Sequence, residues 1–158
     1  MKDLREKLTN SGYGNVRTYI QSGNVIFDTD ETDKMQICSS VADCINYGFG
    51  FTPKIMALRG DTLAKIIKDN PYPDATETPK FLHISFLSEP AVNADLDALN
   101  AVKTDAESFH ITNDAVYTYL PEGTWKSKLA AKMEKCLGVD ATARNWRSAN
   151  KILELAQK

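Results

Sequence analysis

The segment from Val16 to Asp28 constrains the fold more than any other part of this 158-residue chain. If it formed one continuous strand, alternate residues would share a face, and both faces would mix apolar with polar side chains. A hairpin that turns at Ser22-Gly23 places Ile20 opposite Val25, because a glycine there suits a two-residue loop. The apolar face of this hairpin then comprises Val16, Thr18, Ile20, Val25 and Phe27. The opposite face comprises Arg17, Tyr19, Gln21, Asn24, Ile26 and Asp28, with Arg17 opposite Asp28 as a charge pair.

The segment "SFHITNDAVYTYL" predicts a second hairpin by the same logic. With Asn113-Asp114 as its two-residue turn, one face is apolar and comprises Phe109, Ile111, Val116, Thr118 and Leu120. The other face comprises Ser108, His110, Thr112, Ala115, Tyr117 and Tyr119. Each half of the chain therefore carries one hairpin with a single apolar face for helices to cover.

Periodicity and turn signals predict the remaining elements. Helices are expected at 3–10, 33–47, 61–69, 95–102, 129–137 and 146–157, and strands at 52–58, 81–87 and 140–146. The resulting order is α-ββ-α-β-α, a linker, and β-α-ββ-α-β-α. The second half contains a complete βαββαβ unit, the ferredoxin-like plan, and the first half matches it without an opening strand. We therefore predict an α+β protein with two ferredoxin-like subdomains as an internal repeat, at 1–70 and 80–158, joined by a Pro- and Thr-rich linker at 71–79.

Composition narrows the class of protein. The chain is 42% hydrophobic and has no apolar run near the roughly 18 residues that span a membrane. Its start is charged rather than typical of a signal peptide, and its three cysteines show no C-x-x-C spacing. These features favour the cytoplasm and predict no disulfide framework. A net charge of −2 argues against a general nucleic-acid binder, although the chain from Pro121 onwards has a net charge of +4.

No catalytic or cofactor signature is present. Gly12-Tyr13-Gly14 follows a helix and lacks a third glycine, so it does not indicate dinucleotide binding. Ser22 lies in Q-S-G on a hairpin, not in the G-x-S-x-G turn of a hydrolase. With two histidines and no clustered cysteines, we expect neither a metal site nor a cofactor. Whether the chain is an enzyme stays open.

Polar residues at the hairpin tip form the first candidate site. Gln21, Ser22 and Asn24 offer donors and acceptors beside turn amides, and Tyr19 shares their face. They indicate either the floor of a pocket for a small polar or anionic ligand, or ordinary turn chemistry.

The second candidate site is basic. Lys128 recurs with Lys132 and Lys135 on one face of a helix, which indicates an anion site or a solvated face. Arg144 precedes Asn145, a plausible helix N-cap, and could hold a carboxylate or phosphate or pair with an acidic side chain. The aromatic residues Tyr19, His110, Tyr117 and Tyr119 would lie on sheet faces without helices, where they could stack on bases or pack between the sheets.

The strings "VRTYIQSGNVIF" and "TARNWRSANKILELA", with "NPYP" and "KSKL", resemble a bacterial family known as domain of unknown function 1697. The resemblance implies a two-part α+β fold of paired ferredoxin-like units and implies no activity. Members of this family typically open with an apolar strand and a Gly-rich turn before the first helix, whereas this chain starts at that helix. Exposed strand edges in the first half would then favour strand-mediated self-association.

Three classes of function follow from these observations. The leading hypothesis is a non-catalytic module that binds a small anionic or polar ligand between the hairpin at 18–24 and the region of Lys128 and Arg144. The alternatives are an enzyme of unrecognised mechanism and a protein-interaction or assembly module.

Overall fold

The computed structural model describes residues 2–19 and 23–158, and it is a mixed α+β structure with two antiparallel sheets. The chain divides into two compact units. The first comprises Met1–Leu63 with Ile152–Lys158, and the second comprises Ala64–Lys151. Residues 64–79 thus belong to the second unit, whereas the sequence predicts a linker at 71–79. The division into halves at 1–70 and 80–158 stays a prediction.

Six helices and six strands are assigned in the described residues. In chain order they are α1 Lys2–Asn10, β1 Gly14–Tyr19, β2 Asn24–Asp28, α2 Lys34–Phe49, α3 Gly60–Lys68, β3 Leu82–Leu87, α4 Leu96–Val102, β4 Ser108–Ile111, β5 Ala115–Tyr119, α5 Lys128–Leu137, β6 Ala141–Asn145 and α6 Trp146–Ala156. A short 3₁₀ helix, Pro73–Glu77, precedes β3. No helix of the described chain is long and apolar enough to cross a membrane.

The first unit contains the predicted hairpin, with a different register. Tyr19 pairs with Asn24 and Thr18 with Val25, so the predicted pairing of Ile20 with Val25 is wrong. The predicted turn at Ser22-Gly23 includes Ser22, which lies outside the described residues. An irregularity follows Gly14, where Asn15 adopts a positive φ of 50°, and such a bulge changes the pairing along the strand. The predicted sorting of faces survives, because a shift by two residues returns each side chain to the same face.

The core of the first unit lies between this hairpin and two helices. Leu8 of α1 and Val41 and Ile45 of α2 are buried, and Val16, Val25 and Phe27 pack against them, as the hairpin pattern predicts. The ring of Phe27 lies 4.5 Å from that of Tyr13, measured between centroids. Of the two remaining members of the predicted apolar face, Thr18 is half-buried and Ile20 lies outside the described residues.

The strand expected at 52–58 is not formed. This segment has no regular secondary structure, so the first sheet contains only β1 and β2 in the described part of the chain. A strand exists only when a neighbouring strand exchanges hydrogen bonds with it, and Pro53 removes one donor from the segment. Apolar content alone therefore overestimated the sheet of the first unit, although Ile55 does pack against its core.

The second unit carries a four-stranded sheet in the order β4-β5-β3-β6, with every neighbouring pair antiparallel. The second hairpin has the predicted register, since His110 pairs with Tyr117 and Ile111 with Val116. Helices α4 and α5 cover the predicted apolar face, on which Phe109 and Ile111 pack against the core. The buried residues of this core are Leu87, Leu99, Val116, Leu120, Leu129, Met133 and Leu137.

The opposite face of this sheet is not open, contrary to the prediction. Leu82 and Ile84 of β3 are fully buried, and Tyr117 of β5 is 1% exposed. The Tyr117 hydroxyl donates a hydrogen bond of 2.6 Å to the carbonyl of Ile66 in α3. Helix α3, predicted at 61–69, therefore contributes to covering the sheet face of Tyr117, for which the sequence predicted no helix.

Candidate functional site

The segment "NPYP" forms a hydrogen-bonded turn in the second unit. The side-chain oxygen of Asn70 accepts a hydrogen bond from the Tyr72 amide at 3.0 Å. The side-chain nitrogen of Asn70 donates to the Tyr72 carbonyl at 3.2 Å. Pro71 and Pro73 each fix one backbone angle on either side of Tyr72. The turn thus holds the backbone of Tyr72 by both of its polar groups.

A groove of about 290 Å³ lies beside this turn and is partly open to solvent. Its volume is near the lower limit for small-molecule pockets. The turn leads into the 3₁₀ helix, and Tyr119 contributes from the end of β5, where it pairs with Leu82 and Ser108. The groove is lined by Pro71, Tyr72, Pro73, Asp74, Ala75 and Tyr119, all within the second unit.

The groove offers aromatic surface, two hydroxyls and one carboxylate. Partial burial raises the pKa of the Tyr72 phenol above its usual value, so this hydroxyl stays protonated and able to donate at neutral pH. Neither Tyr72 nor Tyr119 makes a hydrogen bond through its hydroxyl to any described residue. Asp74 is exposed at the first turn of the 3₁₀ helix. The lining therefore suits a ligand with a flat apolar part and a donor or positive charge.

The hairpin residues predicted as a site lie in the first unit. Gln21 and Ser22 fall outside the described residues. The Asn24 side chain is largely buried and donates to the carbonyl of Tyr19 at 3.0 Å. The amide group of Asn24 therefore helps to close the hairpin, which is the turn chemistry considered as the alternative to a pocket.

The basic residues predicted as a site lie in the second unit. Lys128 is exposed at the first position of α5. The side-chain oxygen of Asn145 accepts from the Ser148 amide at 2.8 Å, so Asn145 caps α6 as predicted. Burial lowers the pKa of the Arg144 guanidinium, which donates to the Ala143 carbonyl at 2.8 Å. Convergence of these residues with the hairpin on one ligand stays a prediction.

His83 carries a buried polar atom without a partner. Its Nδ1 atom is inaccessible and makes no hydrogen bond to any described residue. Burial lowers the pKa of His83, and the nearby backbone of Phe81 opposes that shift. No cluster of three or more potential metal ligands occurs in residues 2–19 and 23–158.

Sequence reasoning missed the groove because it treated 71–79 as a linker. Proline and threonine content predicted a linker there, whereas the Asn70 side chain hydrogen-bonds the Tyr72 backbone and Pro73–Glu77 forms a 3₁₀ helix. The usable signal was the Asn-Pro-Tyr-Pro string itself, which places a large aromatic side chain between two conformationally restricted residues.

The family model described as a protein of unknown function, DUF1697, matches residues 1–117. The chain belongs to this family. The match includes the TYIQSGN hairpin and the NPYP turn, whereas the TARNW string lies beyond it. No curated protein matches the sequence.

Among solved structures, a conserved bacterial protein from Streptococcus pneumoniae is similar to this member of the DUF1697 family. The two are 20% identical with a TM-score of 0.72, and the similarity covers 100% of this chain and 89% of the other. At this identity the likeness shows a common fold and gives no function.

Proposed function

We propose that this DUF1697 protein is a non-catalytic ligand-binding module whose second unit binds a small molecule in the groove between the NPYP turn and Tyr119. The observation that carries the proposal is a pair of hydrogen bonds between the Asn70 side chain and the backbone of Tyr72, which lies between two prolines. The Asn70 side chain donates to the Tyr72 carbonyl and accepts from the Tyr72 amide. Such a turn fixes the backbone of Tyr72, which lines the groove, before any ligand arrives. Rigidity of this kind lowers the entropy that binding costs.

The chemistry of the lining suggests the ligand. Tyr72 and Tyr119 supply aromatic surface and two hydroxyls, and Asp74 supplies a negative charge at the edge. An organic cation fits this combination, because ring faces and a carboxylate both attract positive charge. The partly open shape favours binding over catalysis, since most catalytic sites exclude water from the reacting groups.

The test uses tetramethylammonium and tyramine as cationic probes, with 4-hydroxyphenylacetate as an anionic analogue of tyramine. In titrations followed by amide chemical shifts, the cations should shift the signals of Tyr119 and of the non-proline residues among 70–75, and the anionic analogue should not. Asp74→Asn should weaken tyramine binding at least about fivefold, because the charge partner is lost. Asp105→Asn, at another exposed aspartate, is the control. Equal binding of the anionic analogue, or no shift at 70–75, would show that the groove is not a cation site.

A second candidate is the anion site expected from the sequence. Its support is the partly desolvated guanidinium of Arg144, next to the cap of α6, together with exposed Lys128 in the same unit. In the hypothesis drawn from the sequence, the hairpin would contribute Tyr19, Gln21, Ser22 and Asn24. Titration with inorganic phosphate and nucleotides should shift the amides of Arg144 and Asn145. Silence at both positions would remove this candidate.

We also propose that the second unit is a ferredoxin-like βαββαβ domain and that the first unit is an incomplete copy of it. The strand order β4-β5-β3-β6 supports the first part, because β5 lies between β3 and β4 and is antiparallel to both. The αββα order of α1 to α2 supports the second. We further propose a cytoplasmic location, which suits three unpaired thiols. Detection of the native protein in a culture medium or periplasmic fraction would contradict this location.

A further inference from the structure

Trp125 stands out on the surface of the second unit. It lies between β5 and α5 and is 82% exposed, although tryptophan is among the largest apolar side chains. The loop around it is ordered by hydrogen bonds from the Gly123 amide to the Leu120 carbonyl at 2.9 Å and from the Ser127 amide to the Thr124 carbonyl at 3.1 Å. Gly123 has a φ of +91°, and a Cβ there would lie 3.3 Å from the indole ring. One edge of the indole therefore lies against Gly123, and most of the ring faces solvent.

A basic helix face adjoins this tryptophan in the sequence. Lys128, Lys132 and Lys135 lie at i, i+4 and i+7 of α5, and all three are exposed. None of them makes an ion pair with a described residue. Lys126 lies with its Nζ 4.7 Å from the centroid of the Trp125 ring. We call Trp125 and these four lysines the Trp-Lys surface.

The charge and shape of the Trp-Lys surface discriminate among anionic partners. An extended single-stranded nucleic acid stacks on several aromatic side chains along a basic groove, whereas this surface has one tryptophan. The rest of the chain, up to Leu120, has a net charge of −6 and would repel a long polyanion. A membrane surface would require further apolar anchors beside the tryptophan, but Ala131, the exposed apolar residue on the same helix face, is small.

We propose that the Trp-Lys surface docks an acidic segment of a partner protein. Trp125 inserts into an apolar site of that segment, and the lysines of α5 pair with carboxylates around it. Tryptophan anchors are the side chains most enriched among binding hot spots, and surrounding charges give complementarity and orientation. The charge complementarity identifies an acidic partner, and the single large aromatic ring identifies one apolar contact at its centre. This surface shares no lining residue with the groove at Tyr119, so the proposal stands apart from the proposed function.

The experiment uses the full chain and four probes. The first is a synthetic peptide that alternates Asp and Glu with Leu and Phe. The others are poly-L-glutamate, oligothymidylate, and vesicles of phosphatidylserine with phosphatidylcholine. Binding is followed through the indole N–H signals, of which the chain has two, from Trp125 and Trp146. The expected result is a shift of the Trp125 signal with the amphipathic acidic peptide and weaker binding of poly-L-glutamate.

Variants separate the two parts of the surface. Trp125→Ala should weaken binding of the amphipathic peptide at least about tenfold, and the double change of Lys128 and Lys132 to Gln should weaken it by a smaller factor that shrinks at high salt. Tyr47→Ala, at a tyrosine that is 92% exposed, and the double change of Lys2 and Lys34 to Gln are the matched controls.

Three outcomes would overturn the proposal. The first is no shift of the Trp125 signal with the amphipathic peptide. The second is equal binding of that peptide by the Trp125→Ala variant, which would reduce the surface to unspecific charge attraction. The third is tighter binding of oligothymidylate or of the vesicles than of the peptide, which would assign the surface to nucleic acid or to a membrane. Circular dichroism of each variant checks that the fold is retained.

Discussion

The hydrogen bond from Tyr117 to Ile66 should be a measurable part of the stability of the second unit. The Tyr117 side chain is 1% exposed, and its hydroxyl lies 2.6 Å from the Ile66 carbonyl. This carbonyl lies in the last turn of α3, where carbonyls lack helical partners, and the amide of Asn70 donates to Ile67 instead. Replacing Tyr117 with phenylalanine keeps the ring and leaves that carbonyl without its donor.

We expect Tyr117→Phe to lower the free energy of unfolding by about 1–2 kcal/mol at neutral pH, because a buried carbonyl loses its hydrogen bond. Tyr47→Phe removes the same atom from a tyrosine that is 92% exposed and should change it by less than about 0.5 kcal/mol. Urea unfolding followed by circular dichroism measures both, with equal m-values as the check that only stability changed.

The dependence of stability on pH in the alkaline range provides a second test of the same side chain. Burial, and then the nearby carboxylates of Asp69 and Asp114, raise the pKa of Tyr117 to about 12. The unfolded chain ionises this phenol near its ordinary pKa of about 10. The contribution is therefore complete below about pH 10 and is lost as the pH rises towards about 12, by roughly 3 kcal/mol in total.

This loss is at least as large as the net contribution of the hydrogen bond. The difference in stability between wild type and the Tyr117→Phe variant should therefore vanish or change sign near pH 12. Wild type should be the more stable at neutral pH, and the Tyr117→Phe variant should equal or exceed it near pH 12. Equal stabilities at neutral pH, or a difference between the two proteins that stays constant up to about pH 12, would refute the assignment of Tyr117 as a buried donor.

Three further predictions concern other parts of the molecule. Because burial lowers the pKa of His83, the unfolded chain takes up a proton first as the pH falls below about 6.5, and stability should decrease there. In urea unfolding, this decrease in stability should be weaker for His83→Gln than for wild type, and unchanged for the control His110→Gln at an exposed histidine. The opposite order of the two variants would contradict the prediction. The Ser127 side chain accepts a hydrogen bond from the third amide of α5. Ser127→Ala should therefore lower the free energy of unfolding by about 1 kcal/mol, whereas Ser127→Asp should largely retain it. Thermal unfolding of both variants measures this difference. Amides of 14–19 and 24–28 should exchange hydrogen faster than those of 82–87, because a two-stranded sheet is marginal alone. Light scattering should detect self-association through the edges of the first sheet, and equal protection together with a strict monomer would argue against both expectations.

Much of the fold follows from local pattern. The alternation in each hairpin assigned the apolar faces, because side chains in a strand change sides at every residue. Helix ends were predictable where a cap is encoded locally, as at Asn145 and at Gly138, which has a φ of 72°. The register of the second hairpin followed from the Asn113-Asp114 turn.

Tertiary structure decided what local pattern could not. The register of the first hairpin depends on a bulge near Asn15, which the apolar alternation does not reveal. The segment 52–58 has the composition of a strand, but a strand needs hydrogen bonds from a neighbour that the sequence does not specify. Burial of Tyr117 required α3 to pack on the sheet, a contact between residues 51 positions apart.

The candidate site residues were also partly visible in the sequence and partly decided by tertiary structure. The residue types of Asn24 and Asn145 were visible in the sequence, and the structure adds that the side chains of these two residues make local hydrogen bonds. The residues that shape the NPYP turn are visible in the sequence, because proline and asparagine act on the adjacent backbone, but the sequence was interpreted there as a linker. Only the tertiary structure placed Tyr119 beside that turn, because a groove is formed by surfaces that are distant along the chain and meet only when the sheet assembles.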